Sequence, residues 1–471
     1  SMGGRLIFAG KYPEYVDAEK SNRAKLLFDK SESISFDNAT LLSALENERD
    51  IKILNSDGTL ADNFIYNMRD DNSKKWLFIA QGIKTNQPDT APPQRIIINI
   101  KGMHTPLLYD TINGSIKPVD ARYENNNTII ETDVYCNDSL LFRLDKESVS
   151  SYVIKKPEQP GLKLSKQIYF KNKVEYTLSE PNVLLLDTAE YALDNEEFRP
   201  EEEILRADNI CRKELGFPPR QGAIAQPWTL GEEKISHYVT LKFTINSEIA
   251  VHDPLLAIED ARSVEITLNG AKISNEICGY YVDESIKTVN LGKIRQGENI
   301  LTVKIPFGKT TNVEYCYILG SFNVKVEGCE KTITAPTSKI GFSSVTGQGL
   351  PFYGGNITYK CKISTPDCSL SLRTSCYRGA AVKVAIDGKP AGIIAYSPYT
   401  LLIDNVAAGE HTIELTLLGN RYNTFGQLHN AQTDAKWCGP NLWRTENEKW
   451  CYEYKLKDFG ILCSPVIEVY E

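Results

Sequence analysis

The chain has 471 residues, 41% apolar and 24% charged, with a formal net charge of −8. At roughly 100–200 residues per domain it holds several domains, each long enough to bury a core, and the ordinary apolar share excludes a disordered or fibrous class. An acidic chain without a basic block is a poor partner for nucleic acid, and no apolar run reaches the roughly 18 residues of a membrane-spanning helix.

Ser1–Gly4 reads partly as a cloning scar, and Arg5–Gly10 directly after it reads as a buried strand. A natural protein rarely starts in mid-strand, so the expectation is a fragment of a longer chain, and the absence of a signal peptide here says nothing. Residues 1–75 alternate strand and helix: Leu6–Ala9, helix Ser21–Lys30, Ser33–Phe36, helix Ala39–Asn47 capped by Asp37, and Ile51–Leu54. This βαβαβ order predicts a partial α/β subdomain with a small parallel sheet. No GxGxxG follows its first strand, so a nucleotide site has no support.

The pattern turns all-β near residue 62. Phe64–Met68 and Trp76–Ala80 flank a polar turn, and Asn113-Gly114 is a two-residue hairpin signal. Residues 76–160 are predicted to form one small β-sandwich. Residues 161–236 read as a mixed linker region with a helix over 200–215. Pro200 fits the first helical position, Glu201–Glu203 put acid at the positive end, Arg212 and Lys213 put base at the other, and Gly216 and Pro218 stop it. Its core stripe is Ile204, Ala207, Cys211 and Leu215.

Two copies of one unit follow, over 237–335 and 336–471. Val239, Leu241, Phe243 and Ile245 alternate, and Ile357, Tyr359, Cys361 and Ile363 repeat them 118 residues later. Val264, Ile266 and Leu268 lead into Asn269-Gly270, as Val382, Val384 and Ile386 lead into Asp387-Gly388. Gly297-Glu298 and the strand through Leu301, Val303 and Ile305 recur 112 residues later at Gly409-Glu410, Ile413, Leu415 and Leu417. Short strands, period-2 alternation and frequent turns predict β-sandwiches.

The chemistry-bearing motifs are few. The five histidines, His104, His237, His252, His411 and His429, form no HExxH cluster, and no GxSxG elbow or P-loop occurs. No cofactor is expected, with structural calcium in oxygen-rich loops left open. The eleven cysteines are scattered and include no CxxC pair. They read as reduced, buried thiols of a cytoplasmic setting, the alternative being a disulfide such as Cys361–Cys376. Trp437, Trp443 and Trp450 fall within 14 residues, close to the loop Gly419–Asn430. Aromatic faces with amide and guanidinium donors suit sugars. The candidate carbohydrate-binding residues are Asn420, Arg421, Asn423, His429 and Trp437, with Tyr353 in the glycine-rich run Gly349–Gly355. The plainer account is that these aromatics close a core and the Asn and Gly residues shape turns.

Ser263–Ser274 with Gly297–Val303 resembles the galactose-binding-like sandwich of family 2 glycoside hydrolases. Ala61–Tyr66, Trp76–Ala80, Gln348–Asn356 and Gly419–Asn430 together resemble the C-terminal half of large bacterial glycoside hydrolases similar to family 106, the α-L-rhamnosidases. The resemblance implies a mainly β, multi-domain accessory region with two galactose-binding-like jelly rolls after a small α/β subdomain. It implies a catalytic barrel N-terminal to this chain as a partner, and carbohydrate as ligand. Nothing here matches that barrel, so no catalytic residue is carried over. A stand-alone carbohydrate-binding protein, a structural or oligomerising module, and an enzyme complete in itself remain as alternatives.

Overall fold

The computed structural model describes residues 5–83, 85–86, 88–111, 114–146, 163–219, 233–311, 313–432 and 446–471. The chain is mainly β and divides into two units, Ser1–Gln159 and Pro160–Glu471.

In the first unit Ile7–Ala9 pairs in parallel with Glu32–Ile34, with helices Arg23–Phe28 and Asn38–Leu45 alongside in sequence. Asp37 caps the second helix, its carboxylate accepting from the Thr40 N–H. The expected third parallel strand, Ile51–Asn55, instead pairs antiparallel with Gln94–Lys101. Ile51 and Ile53 are buried together with Ile98 and Ile100, and that apolar face outweighs the local βαβ pattern. A four-stranded and a five-stranded antiparallel sheet enclose this core. Phe64–Asp71 and Lys74–Gln81 form one hairpin of the five-stranded sheet, so the expected boundary at 75/76 cuts through it. The hairpin near residue 114 is present between Thr105–Tyr109 and Ile116–Pro118, with Asn113 itself outside the described residues.

The second unit is two sandwiches, one nested in the other. Leu164–Tyr169 pairs with Val466–Tyr470, and Val174–Leu178 pairs with Ile357–Thr365. These two early strands therefore belong to the later copy, here called the host. Between them and the rest of the host lies the whole earlier copy, from Asn182–Leu186 to Glu330–Thr334, the inserted sandwich. The region 161–236 is thus no linker; it supplies opening strands to both sandwiches.

The two copies share strand order and register. In the inserted copy His237–Ser247 pairs with Gly297–Phe307, which pairs with Glu265–Leu268. In the host Ile357–Thr365 pairs with Gly409–Leu417, which pairs with Val382–Ile386. Val239 faces Ile305 and Phe243 faces Leu301, just as Ile357 faces Leu417 and Cys361 faces Ile413. Both turns hold two residues of positive φ, Asn269 and Gly270 at 52° and 79°, Asp387 and Gly388 at 51° and 75°. That is the type I′ turn, whose twist matches a right-handed hairpin.

Each turn is clasped from its neighbour strand. The Asn269 side chain accepts from the Ile300 N–H at 2.9 Å and donates to Asn299 at 2.9 Å. In the host, Asp387 accepts from the Thr412 N–H at 2.8 Å and meets His411 Nδ1 at 2.7 Å. His411 Nε2 faces the Ala407 carbonyl at 2.8 Å, where Asn299 uses the Arg295 carbonyl. An amide pair in one copy is an imidazole–carboxylate pair in the other.

The helix at 204–214 begins four residues later than its acidic run suggests. Arg199–Glu203 is an edge strand against Thr188–Leu193, a place where Pro200 costs no ladder bond. Glu203 caps the helix, accepting from the Arg206 N–H at 2.9 Å. Ile204, Ala207 and Cys211 are buried as expected, with Leu215 packed on the same core. Cys361 is buried and in no disulfide, so the alternative Cys361–Cys376 bridge is not formed. Burial pushes the Cys316 and Cys361 thiols up to about 12, which makes them inert core residues.

Both ring nitrogens of His411 face acceptors, so the imidazolium satisfies both, and its pKa lies above the ordinary 6.5 because of the Asp387 bond first and the Ala407 carbonyl second. The stabilisation is complete below pH 6.5 and is lost as pH rises through the raised folded value. His411→Asn, which places there the residue type of its counterpart Asn299, is expected to remove this component. Thermal melts of the two proteins from pH 6 to 9 measure it, and equal slopes would refute it.

Candidate functional site

The loop Gly419–Asn430 does not project as a free binding loop. Gly419 lies against the glycine-rich run: a Cβ there would stand 2.1 Å from the Gly354 carbonyl oxygen, so only glycine allows this approach. From that contact the chain turns through a short helix, Tyr422–Phe425, onto the inserted sandwich. The Phe425 ring meets Tyr317 edge-on at 5.4 Å and Tyr281 at 6.1 Å. Leu428 and Phe352 enter the inserted core. The loop bolts one sandwich to the other.

The expected sugar-binding residues follow from this placement. Asn423 is buried and spans the Lys457 backbone, donating to its carbonyl at 2.8 Å and accepting from its N–H at 2.9 Å. Tyr353 is buried, its hydroxyl accepting from the Ser179 N–H at 3.1 Å and donating to the Asn356 carbonyl at 2.9 Å. Arg421 forks onto Glu180, with Nη2 at 2.7 Å from Oε2. That bond raises its pKa, and the guanidinium lies 5.9 Å from the Tyr281 ring centre. Asn420 is exposed and accepts from the Tyr422 N–H at 3.1 Å. Trp437 lies outside the described residues. Of the five described, Asn420 and Arg421 reach solvent, and the set does not converge on one surface.

His429 belongs to a different cluster, centred on Asp187. This carboxylate is 1% exposed and sits between strands Asn182–Leu186 and Thr188–Leu193 of the inserted sandwich. Lys331 Nζ lies 2.8 Å from Oδ1, the Tyr454 hydroxyl donates to Oδ1 at 2.6 Å, and His429 Nε2 lies 3.1 Å from Oδ2. Burial alone would raise this carboxyl, but the Lys331 charge and the His429 bond outweigh it and hold it well below the usual range. His429 Nδ1 faces the Cys451 carbonyl at 3.0 Å, and its ring lies between Trp450 at 5.0 Å and Tyr454 at 4.9 Å. The Arg206 guanidinium stacks over Trp450 at 4.5 Å. Nearby, Glu203 is fully buried; burial lifts its carboxyl to about 7, partly offset by the Tyr315 hydroxyl that donates to it at 2.7 Å.

Lys331 of this cluster also lines a cleft of about 440 Å³. Glu190, Glu201, Glu202, Asn246, Glu330 and Tyr452 are among the residues that line it. Its two lysines are engaged, Lys242 with Glu190 and Lys331 with Asp187. Glu202 is fixed by Arg206 Nε at 3.1 Å and by the Tyr452 hydroxyl at 3.3 Å. The half-exposed Tyr452 ring offers an apolar face beside fixed carboxylate and amide acceptors. A pocket of a few hundred Å³ with few convergent polar groups has the size and chemistry for a small polar ligand. Among the described residues no group of three or more His, Cys, Asp or Glu side chains is placed to hold a metal ion. Tyr452 and Glu202 were not singled out by sequence reasoning; the aromatic tail was the only signal, and it pointed to Trp437.

No protein-family model matches the chain, and no curated protein matches it. Among solved structures it is similar to a rhamnosidase from Novosphingobium sp. PP1Y, at 12% identity over 93% of this chain and 27% of that one, with a TM-score of 0.40. It is similar to a Paenibacillus xanthan lyase at 10% identity, over 93% of this chain and 40% of that one, with a TM-score of 0.14. A Streptomyces avermitilis α-L-rhamnosidase complexed with L-rhamnose aligns at 10% identity, over 80% of this chain and 32% of that one, with a TM-score of 0.20. The chain spans well under half the length of each.

Two stability tests follow from the cluster. Asp187→Asn leaves Lys331 buried without its counter-charge, and breaking a buried pair from one side costs about 3–5 kcal/mol; denaturant titration of the unit measures the loss, and a change under 1 kcal/mol would contradict it. For Glu203 the sign is opposite. Between pH 4.5 and about 7 the folded protein keeps a proton that the unfolded chain has released, so stability falls as pH rises through this window. The penalty above pH 7 is about 3 kcal/mol. Glu203→Gln is expected to flatten the slope between pH 4.5 and 7, read from melts at both ends.

Proposed function

We propose that this chain is the sandwich region of a larger carbohydrate-active protein and that its cleft binds a glycan. The observation that carries the reading is the cleft itself: one aromatic face, Tyr452, beside hydrogen-bonding groups held rigidly by Arg206, Lys242 and the strands beneath. Sugars present apolar C–H faces and hydroxyl edges, and both find partners there. The family strings in the sequence and the duplicated sandwich support the same reading. In it the catalytic barrel lies elsewhere in the parent protein, and the nested sandwiches support it and extend its hold on substrate. The candidate loop residues Asn420 and Arg421 would add to binding only at the edge, since Arg421 is already held by Glu180.

Calorimetry of the intact chain against a panel of oligosaccharides is expected to show binding in the micromolar to millimolar range. Tyr452→Ala should weaken it about tenfold, the loss of one aromatic contact of about 1.4 kcal/mol, and Glu202→Gln about threefold. The reading fails if no glycan binds, or if Tyr452→Ala leaves affinity unchanged. Turnover of aryl glycosides by this chain alone would make it an enzyme in itself.

A further inference from the structure

The Tyr452 cleft sits at a break in a sheet. One edge of strand His237–Ser247 is filled along its whole length by Gly297–Phe307. On its other edge Thr188–Leu193 pairs only as far as Lys242, and Glu330–Thr334 takes over from Asn246. Among the described residues no strand faces Phe243–Ile245 on that edge. Main-chain groups alternate between the two edges of a strand. The Tyr238 carbonyl accepts from Asp194 N–H at 2.7 Å and the Glu248 N–H donates to Ile333 at 2.8 Å, both across the broken edge. Thr244 has the same parity, so its N–H and carbonyl point into the gap, and Thr244 is an exposed residue of the cleft lining.

The charges around this opening are unbalanced. Lys242 is paired with Glu190, Lys331 with the buried Asp187, and Glu202 with Arg206. Two further carboxylates of the lining, Glu201 and Glu330, are exposed and form no ion pair among the described residues. The acceptors left for a ligand are therefore two carboxylates and the Thr244 carbonyl. The donors left are neutral, such as the Thr244 N–H and the Asn246 amide. An anion brought into the cleft finds no cation to offset its lost hydration, whereas a cation finds two counter-charges.

We propose that the glycan of this cleft is a cationic amino sugar. The proposal rests on the reading of the cleft as a glycan site and narrows it. The ammonium group is drawn to the Glu201 and Glu330 carboxylates, ring hydroxyls meet the open main chain of Thr244, and a C–H face rests on Tyr452. Uronic and sulfated sugars are turned away by the same carboxylates.

The test is calorimetry of the intact chain in mildly acidic buffer, where the amine is charged. The probes are the trisaccharide of glucosamine, its neutral N-acetylated form and trigalacturonate. Glucosamine should bind about tenfold more tightly than the N-acetylated form, from two partly exposed ion pairs worth up to about fivefold each. Trigalacturonate should not bind. Molar salt, which shortens the screening length to about 3 Å, should erase the preference. Glu201→Gln combined with Glu330→Gln should bring the two affinities together, with thermal melts showing both variants folded. Tyr452→Ala should weaken both sugars alike, which ties the binding to the cleft and not to the acidic surface at large. Equal affinity for the charged and N-acetylated forms overturns this inference and leaves the glycan site standing. So does a preference that survives the double variant. Glucosamine binding that is indifferent to Tyr452→Ala overturns it too, and the absence of binding by every sugar overturns the site itself.

Discussion

The second unit depends on one long-range pairing: Leu164–Tyr169 against Val466–Tyr470, reinforced by Val174–Leu178 against Ile357–Thr365. Joining residues so far apart in sequence is not prohibitive, since loop-closure entropy grows only as the logarithm of loop length, about 0.6 kcal/mol per doubling. The inserted sandwich lowers the cost further. Its first strand, Asn182–Leu186, pairs with Cys316–Gly320, and Asn323 near its end pairs with Thr334. Once it folds, both crossings start from one place, and the host sees a short connection.

The same junction organises the chemistry. The loop after the host strand Gly409–Leu417 enters the inserted core through Phe425 and Leu428, and the segment that follows supplies His429, Trp450 and Tyr454 around Asp187. Two carboxylates in this region are driven apart. Asp187 is surrounded by donors and stays low, while at Glu203 burial, helped by the nearby Asp187 charge, outweighs the Tyr315 hydroxyl and the helix N–H groups, and the carboxyl rises. The sequence neighbours of the pair, Leu186, Thr188 and Glu202, line the cleft.

The local features of the fold were legible in the sequence. Period-2 alternation and the Asn-Gly and Asp-Gly turns depend on neighbours a few residues away, and the duplicated register follows them residue by residue. The nesting was not legible, because no local pattern says that Leu164–Tyr169 skips its neighbour and pairs across the whole inserted copy. The acidic run at 201–203 looked like a helix start because strand and helix both tolerate it; only the ladder with Thr188–Leu193 decides. The candidate site was the least legible part. A loop rich in Asn, Arg and His reads as a sugar loop, yet the same residues are what two β-surfaces need to satisfy polar groups where they meet. Asp187, Lys331, His429 and Tyr454 come from four distant segments, and nothing in their spacing joins them.

The edge pairing of Leu164 with Tyr470 also sets how the unit bears load. The strands run antiparallel, and Lys163 and Glu471 exchange backbone bonds at 3.0 and 3.1 Å at the same end. A pull through those two residues therefore peels the ladder open one bond at a time, whereas shear would load all of them together. The host would yield first at low force, and the inserted sandwich, tethered through two adjacent crossings, would feel tension only after the host had opened. The nested order makes the outer copy a mechanical fuse for the inner one.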